Sequence, residues 1–143
     1  MLSVQIATGL GMMVLTIVIH SMFMVGGVKL AKWRQSRFGS VGNEMIKAIV
    51  LSALVVWLFM AIVLETLLWA LLYLFIPLIT ALPDLETAFY FSMVTFTTLG
   101  YGDVVLTGQW RTLASIQAAN GVIIFGWTTA LIFYFIQRVY KEE

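Results

Sequence analysis

The sequence contains no cysteine, one histidine, two prolines and very little charge. Without cysteine there is no disulfide framework and no thiolate metal site. A single histidine leaves no histidine metal cluster and no Ser-His-Asp triad with a spare base. Charged residues make up 10% of the 143 residues, against 62% hydrophobic. A soluble domain carries about a quarter charged residues. The polar surface here is too small to clothe a water-soluble sphere, so a secreted or cytosolic enzyme is excluded and a bilayer protein is expected. No base, nucleophile and oxyanion donors converge, and nothing points to nucleic acid. The net charge of +1 carries little information, but the placement of the charges carries much.

What is present is apolar runs. Val4 to Val28 holds 25 uncharged residues, about 38 Å of helix at about 1.5 Å per residue. That is long enough to span a bilayer and too long for a signal-peptide core, so it reads as a retained span. Lys29, Lys32, Arg34, Arg37 and Lys47 follow, with Gly39, Ser40, Gly42 and Asn43 loosening the chain and Glu44 as the only acid. Ala48 to Pro83 has one charge, Glu65. No turn residues flank Glu65, so one long helix is expected that tilts or emerges before Pro77 and Pro83. Asp84 can cap a new helix and Glu86 sits in its first turn. Thr87 to Thr97 is too short to span and reads as a re-entrant segment. Thr112 to Gln137 is a last full span. Seven of the eight basic residues lie between 29 and 47 or after 137. Three spans place both regions on one side, which is then cytoplasmic, with the amino terminus outside.

Between the short helix and the last span lies Thr97-Thr98-Leu99-Gly100-Tyr101-Gly102-Asp103. A dehydrated cation needs a cage of oxygens. Successive backbone carbonyls can supply it if they point to one side, and glycine permits the left-handed angles this requires. The stretch Thr98 to Asp103 resembles the potassium-channel pore-domain signature Thr-Val-Gly-Tyr-Gly-Asp, with Leu99 for Val, a change that also occurs in that family. The resemblance extends over Glu86 to about Gln137. Ala88 to Phe96 looks like the pore helix, Trp110-Arg111 like the opening of the inner helix, and Gly121 with Phe125-Gly126 like the hinge glycine and the Phe-Gly pair after it.

The apolar runs and the resemblance together give an all-α membrane protein of three transmembrane helices with a re-entrant pore helix and filter loop, the first span having no counterpart in the minimal two-span pore. The expected division is an extra amino-terminal span over 1–30, a basic cytoplasmic loop over 31–46, and a pore domain over 47–143. The pore domain divides into an outer helix 47–82, pore helix 86–97, filter 98–103 and inner helix 111–138. K+ is the implied permeant ion, held by carbonyls of Thr98, Leu99, Gly100 and Tyr101 with Gly102 completing the filter and the Thr98 hydroxyl at the cavity end. Asp103, Tyr90, Val94 and Thr97 are its support. Some members carry Glu where Val94 stands, so Tyr90 is the expected partner of Asp103. One loop supplies a quarter of a carbonyl ring, so a homotetramer is expected. Neither a cytoplasmic ligand-binding domain after residue 143 nor an arginine-repeat voltage sensor is expected.

Gly121, Phe125, Thr129 and Phe133 recur at i, i+4 and are expected to line the cavity, with Phe133 near an inner constriction. Glu65, His20, Gln117 and Asn120 are polar groups at membrane depth. Counting about 27 Å from Lys47 to Glu65 and about 14 Å from Lys29 to His20 separates those two by about 13 Å. The expected cluster is therefore Glu65 with Gln117 or Asn120, as a structural tie or a proton-sensitive element. Trp57, Trp69, Tyr73 and Trp110 need no special role, three of them reading as aromatics near the outer interface, and Gly9, Gly11, Gly26 and Gly27 permit close helix approach. The function expected is passive K+ conduction across a bacterial-type inner membrane, with lipids as partners and a regulatory partner possible at the 29–47 loop. The alternatives are a nonselective cation channel, a non-conducting scaffold or regulatory subunit, and a transporter subunit; the intact Gly100-Tyr101-Gly102 speaks against the last.

Overall fold

A computed structural model describes residues 2–38, 44–76, 79 and 81–140. Its elements are α1 (Leu2–Phe38), α2 (Glu44–Phe75), α3 (Leu85–Phe96) and α4 (Arg111–Tyr140), with a single 3₁₀ turn at Gly108–Trp110 leading into α4. Three helices are long and apolar enough to cross a membrane: Leu2–Leu30, Glu44–Leu74 and Arg111–Arg138. At most 28% of each apolar window is buried within the chain. The remaining apolar surface, including Val14, Met22, Val56 and Val122, has no aqueous role and suits a lipid or protein environment.

Two boundaries differ from expectation. The segment over 31–46 is not a loop from residue 31, because α1 stays helical to Phe38. Lys29 to Phe38 contains no glycine or proline, and the first breaker is Gly39. Residues 39–43, the center of the expected loop, lie outside the described residues. The outer helix ends at Phe75 rather than reaching residue 82. Proline disfavours helical backbone in the residue before it, here Ile76; Pro77 itself lies outside the described residues. Helix α2 runs unbroken past Glu65, as the absence of turn residues there predicts.

The helices alternate in direction. Gly27 of α1 lies against Leu54 and Trp57 of α2, and Gly9 of α1 against Ile116 of α4. Further along, His20 meets Glu65 of α2 and Thr128 of α4. Residue numbers rise together in α1 and α4 and oppose each other in α1 and α2, so α1 and α4 are parallel and α2 is antiparallel to both. Gly9 and Gly27 are therefore contact glycines, whereas no atom approaches the open side of Gly11. The Trp57 indole donates to the Phe23 carbonyl at 2.9 Å, which pins α1 to α2 through a backbone acceptor.

Two apolar clusters hold the bundle. One, of Met24, Leu54, Leu58 and Phe135, joins α1, α2 and α4. The larger packs Trp69, Tyr73, Phe91, Phe96, Leu113 and Ile124 between α2, α3 and α4. Trp69 and Tyr73 are thus fully buried behind α3, not interfacial as their residue type suggests. Burial there makes the Tyr73 hydroxyl find a partner: it donates to Gln117 Oε1 at 2.7 Å, and Gln117 Nε2 donates to the Ser92 carbonyl of α3 at 3.3 Å. These bonds tie α2 and α4 to the short helix α3. Replacing Tyr73 with Phe leaves Gln117 Oε1 buried without a donor, a cost of about 1–3 kcal/mol. The expected outcome is a lower thermal unfolding midpoint in detergent with the helix content unchanged by circular dichroism.

Candidate functional site

Helix α3 begins where its cap dictates. Asp84 has extended backbone (φ −144°, ψ 169°), and its Oδ1 accepts the Thr87 N–H at 2.8 Å. That bond holds the Asp84 carboxyl below the usual carboxylate range. Twelve residues later the helix stops. Thr97 closes it, with N–H donating to the Met93 carbonyl and Oγ1 donating to the same carbonyl at 2.8 Å. Thr98 then turns left-handed at φ 61°, a region a β-branched residue rarely enters. Strain of about 1–3 kcal/mol of this kind persists only where the surroundings over-determine it.

What over-determines it is hydrogen bonding back to the helix end. Thr98 N–H donates to the Thr95 carbonyl at 3.0 Å, and Leu99 and Gly100 N–H both donate to the Val94 carbonyl at 3.0 and 3.3 Å. Backbone angles alternate in sign along the loop: Thr98, Gly100 and Gly102 are left-handed (φ 61°, 52° and 82°), while Leu99 and Tyr101 keep negative φ. Alternating handedness turns successive peptide units the same way, so amides gather on one side and carbonyls on the other. With the amides of residues 98–100 tied to α3, this arrangement directs the carbonyls to the other side. Residues 97–103 are exposed, including the Leu99 and Tyr101 side chains at 55% and 68%. The carboxyl end of α3, the negative end of its dipole, lies at the start of the loop.

The far end of the loop is tied as well. Tyr90 OH donates to Asp103 Oδ2 at 2.7 Å, joining the first half of α3 to the loop's exit. The phenol holds Asp103 below the ordinary carboxylate value, and the carboxylate pushes the Tyr90 phenol up. Because the folded carboxyl is the more acidic, this bond's contribution is present above the ordinary aspartate value, about pH 3.9, and fades as pH falls through the lower folded one. Val94 is buried and serves through its carbonyl, and Thr97 serves as helix closure.

Helix α4 supports the loop from behind. Gly121 is buried, and a Cβ there would overlap the Phe96 carbonyl oxygen. Phe125 packs edge-on against Phe96 with ring centers 6.1 Å apart. Thr129 is exposed, with its hydroxyl on the Phe125 carbonyl, and Phe133 is 58% exposed. The four residues expected on one cavity face therefore divide, with Gly121 turned to α3 and Thr129 and Phe133 outward. The reason is the helical period: steps of four residues advance about 40° each, so twelve residues rotate the stripe by about 120°.

The intramembrane polar residues also regroup. Glu65 pairs with His20, Nδ1 to Oε1 at 3.0 Å, and both are fully buried. Gln117 belongs to Tyr73 and Ser92, and Asn120 Nδ2 donates to Thr16 Oγ1 at 2.7 Å. The expected cluster of Glu65 with Gln117 or Asn120 is not formed. Depth counting misled because Lys29 and Lys47 are not level. Gly27 sits beside Leu54, seven residues or about 10 Å up α2 from Lys47. From that level His20 is about 10 Å away and Glu65 about 16 Å, and the side chains close the rest. Thr16, Thr128 and Ser92 are not singled out by sequence, and Tyr73 reads there only as an interfacial aromatic. The signal for the first two was a hydroxyl one turn from His20 and one two turns from Asn120, in otherwise apolar helices.

Three apolar spans with a short helix and an exposed carbonyl loop between the second and third define a multi-pass membrane protein with a pore loop. A family profile described as Ion channel matches residues 54–138. That is more than half of the chain, and the protein belongs to this ion-channel family; it is a channel, not an enzyme. Helix α1 lies outside the matched segment. Comparison with curated proteins and with solved structures gives no significant match.

Two outcomes follow from this geometry. Tyr90→Phe frees Asp103, so its carboxyl titration, followed by carbon NMR, moves up toward the ordinary aspartate value. Gly121→Ala overpacks backbone against backbone at a cost of about 1–3 kcal/mol or more, expected as a lowered thermal midpoint and a displaced loop, read by increased proteolysis near residue 100.

Proposed function

We propose that this channel is potassium-selective and conducts K+ passively as a homotetramer. The observation that carries the reading is the alternating sign of φ along residues 98–102, with the amides of residues 98–100 bonded back to α3, an arrangement that turns the carbonyls to the opposite side. Four such loops around an axis make stacked rings of oxygens from Thr98, Leu99, Gly100 and Tyr101, which replace the hydration shell of a dehydrated cation. The exposed Leu99 and Tyr101 side chains then pack between neighbouring subunits. The carboxyl ends of four α3 helices, each starting a loop, add negative potential below the rings. The resemblance of Thr98 to Asp103 to the potassium-channel signature selects K+ among cations. Thr129 and Phe133, exposed on α4, face the inner cavity, with Phe133 at its constriction.

The proposed setting is a bacterial-type inner membrane with the amino terminus outside and the basic 29–47 region and carboxyl terminus in the cytoplasm, as the distribution of lysine and arginine favours. A regulatory partner at the basic segment belongs to the same proposal.

Purified protein in lipid vesicles with opposing K+ and Na+ gradients tests it. Flux of K+ far above Na+ is expected, and mass spectrometry of the intact assembly is expected to give four chains. Equal flux of both ions means a nonselective cation channel, and no flux a non-conducting subunit. Gly100→Ala forces a side chain into left-handed backbone, about 1–2 kcal/mol of strain in each loop, and is expected to bring K+ flux to background while leaving assembly intact.

A further inference from the structure

Helix α4 is held differently in its two halves. The first half is fixed to the support of the loop. Gln117 bonds the Ser92 carbonyl, Gly121 lies against the Phe96 carbonyl, and Phe125 packs on the Phe96 ring. Moving that half would drag the carboxyl end of α3 away from the loop amides it accepts. The second half carries the exposed Thr129 and Phe133. Two glycines lie in α4, and their surroundings differ. Gly121 is buried in its contact with Phe96 and has no room to yield. Gly126 is exposed, and no described atom lies within 4 Å of where its Cβ would be. Glycine is among the weakest helix formers, because its backbone is the freest. The compliant point of α4 is therefore Gly126, where the fixed half meets the other.

Helix α1 runs past that point and is fastened on both sides of it. Before it, Gly9 meets Ile116, and Thr16 bonds Asn120 at 2.7 Å. After it, His20 and Thr128 share a hydrogen bond at 3.0 Å, two residues beyond Gly126, and Met24 joins Phe135 in one apolar cluster. The two helices are parallel, so these anchors follow one another in the same order on both. Residues 12–25 of α1, which include the Thr16, His20 and Met24 anchors, are continuous helix without glycine or proline. A stiff rod thus lies along the soft point of its neighbour. The second half of α4 cannot swing about Gly126 unless α1 bends with it or the His20 and Met24 anchors part. Helix α2 reaches the same half through Leu54 and Leu58 of the lower cluster.

We infer that α1 is a splint across Gly126, which keeps the second half of α4 in line with the half that backs the loop and so limits the travel of Thr129 and Phe133. Helix α1 lies outside the matched family segment, so the splint is added to the channel segment from outside it. A splint acts through its stiffness, and that separates it from ordinary packing: softening α1 without touching a contact must release α4.

The test uses the full chain in lipid nanodiscs. Amide hydrogen exchange is read over residues 127–130, whose helical hydrogen bonds cross Gly126. Val18 and Met22 are exposed, at 49% and 67%, and stand between the Thr16 and Met24 anchors. Replacing both with glycine softens α1 and leaves the four anchors intact. Replacing both with alanine removes the same side chains without softening the helix. Exchange at 127–130 is expected to rise about two- to tenfold in the glycine pair, the range by which one hydrogen bond shifts an equilibrium, and to stay at the native rate in the alanine pair. Adding Gly126→Ala, whose Cβ meets nothing within 4 Å, is expected to return the glycine pair to the native rate. Met24→Ala removes an anchor while α1 stays stiff, and the same rise and the same reversal are expected of it. Native exchange in both the glycine pair and Met24→Ala overturns the splint, with α2 alone then holding the second half. An equal rise in the glycine and alanine pairs, or a rise that persists with Gly126→Ala, overturns it as well. A K+ flux that changes in the glycine pair and is restored by Gly126→Ala extends the splint to conduction; this arm alone rests on the proposed function. Exchange that follows the expected pattern in a protein with no flux supports the splint and counts against the potassium-channel reading.

Discussion

A stretch of irregular backbone at membrane depth must satisfy its amides within the protein, because lipid offers no acceptor. Here the Val94 and Thr95 carbonyls take the amides of residues 98–100, and the rest of the chain serves to keep them in place. The bonds require α3 to end at one position, which the Thr97 closure and the Asp84 cap define from its two ends. They require that end to be pressed against α4, which the missing side chain at Gly121 allows. They also turn the carbonyls outward, so satisfying the amides and presenting the oxygens are one structural event.

Behind the loop the polar contacts form two separate sets. Tyr73, Gln117 and the Ser92 carbonyl bind α2 and α4 to α3. Glu65, His20 and Thr128, with Thr16 and Asn120 nearby along α1, bind α1 to α2 and α4. Between apolar helices in lipid, hydrophobic burial alone gives little specificity of approach, so small residues and hydrogen bonds decide which faces meet. The glycines at 9 and 27 and the Trp57 bond to the Phe23 carbonyl act in the same way. The first helix is consequently docked on its own chain, by contacts distributed along much of its length.

Much was legible in the residues. Two uncharged runs and one with the single charge Glu65 specify three spans because a charge inside lipid is costly wherever it falls. The loop is legible because glycine spacing reflects local backbone angles: Gly100 and Gly102 stand where φ is positive. The Asp84 cap and the Tyr90 partner of Asp103 are similarly local, three and thirteen residues from what they bind. The pairing of His20 with Glu65 was not legible, since they are 45 residues apart and their depths were counted from basic residues that are not level. Nor was the division of Gly121 from Phe133, because a four-residue stripe drifts around a helix of 3.6 residues per turn.

The sequence alone determined that the protein lives in a bilayer, where its spans begin, and which short segment bares its backbone. Those are properties of composition and of neighbouring residues, read one helix at a time. Only the tertiary structure decided how the polar residues within the spans are shared. Which side chains meet depends on the offset and rotation of whole helices against one another, and in an apolar helix every face reads alike until a neighbour is packed on it. The scarce charge behaves accordingly: at the helix ends its place could be read directly, and at Glu65 its partner was set by the docking of α1.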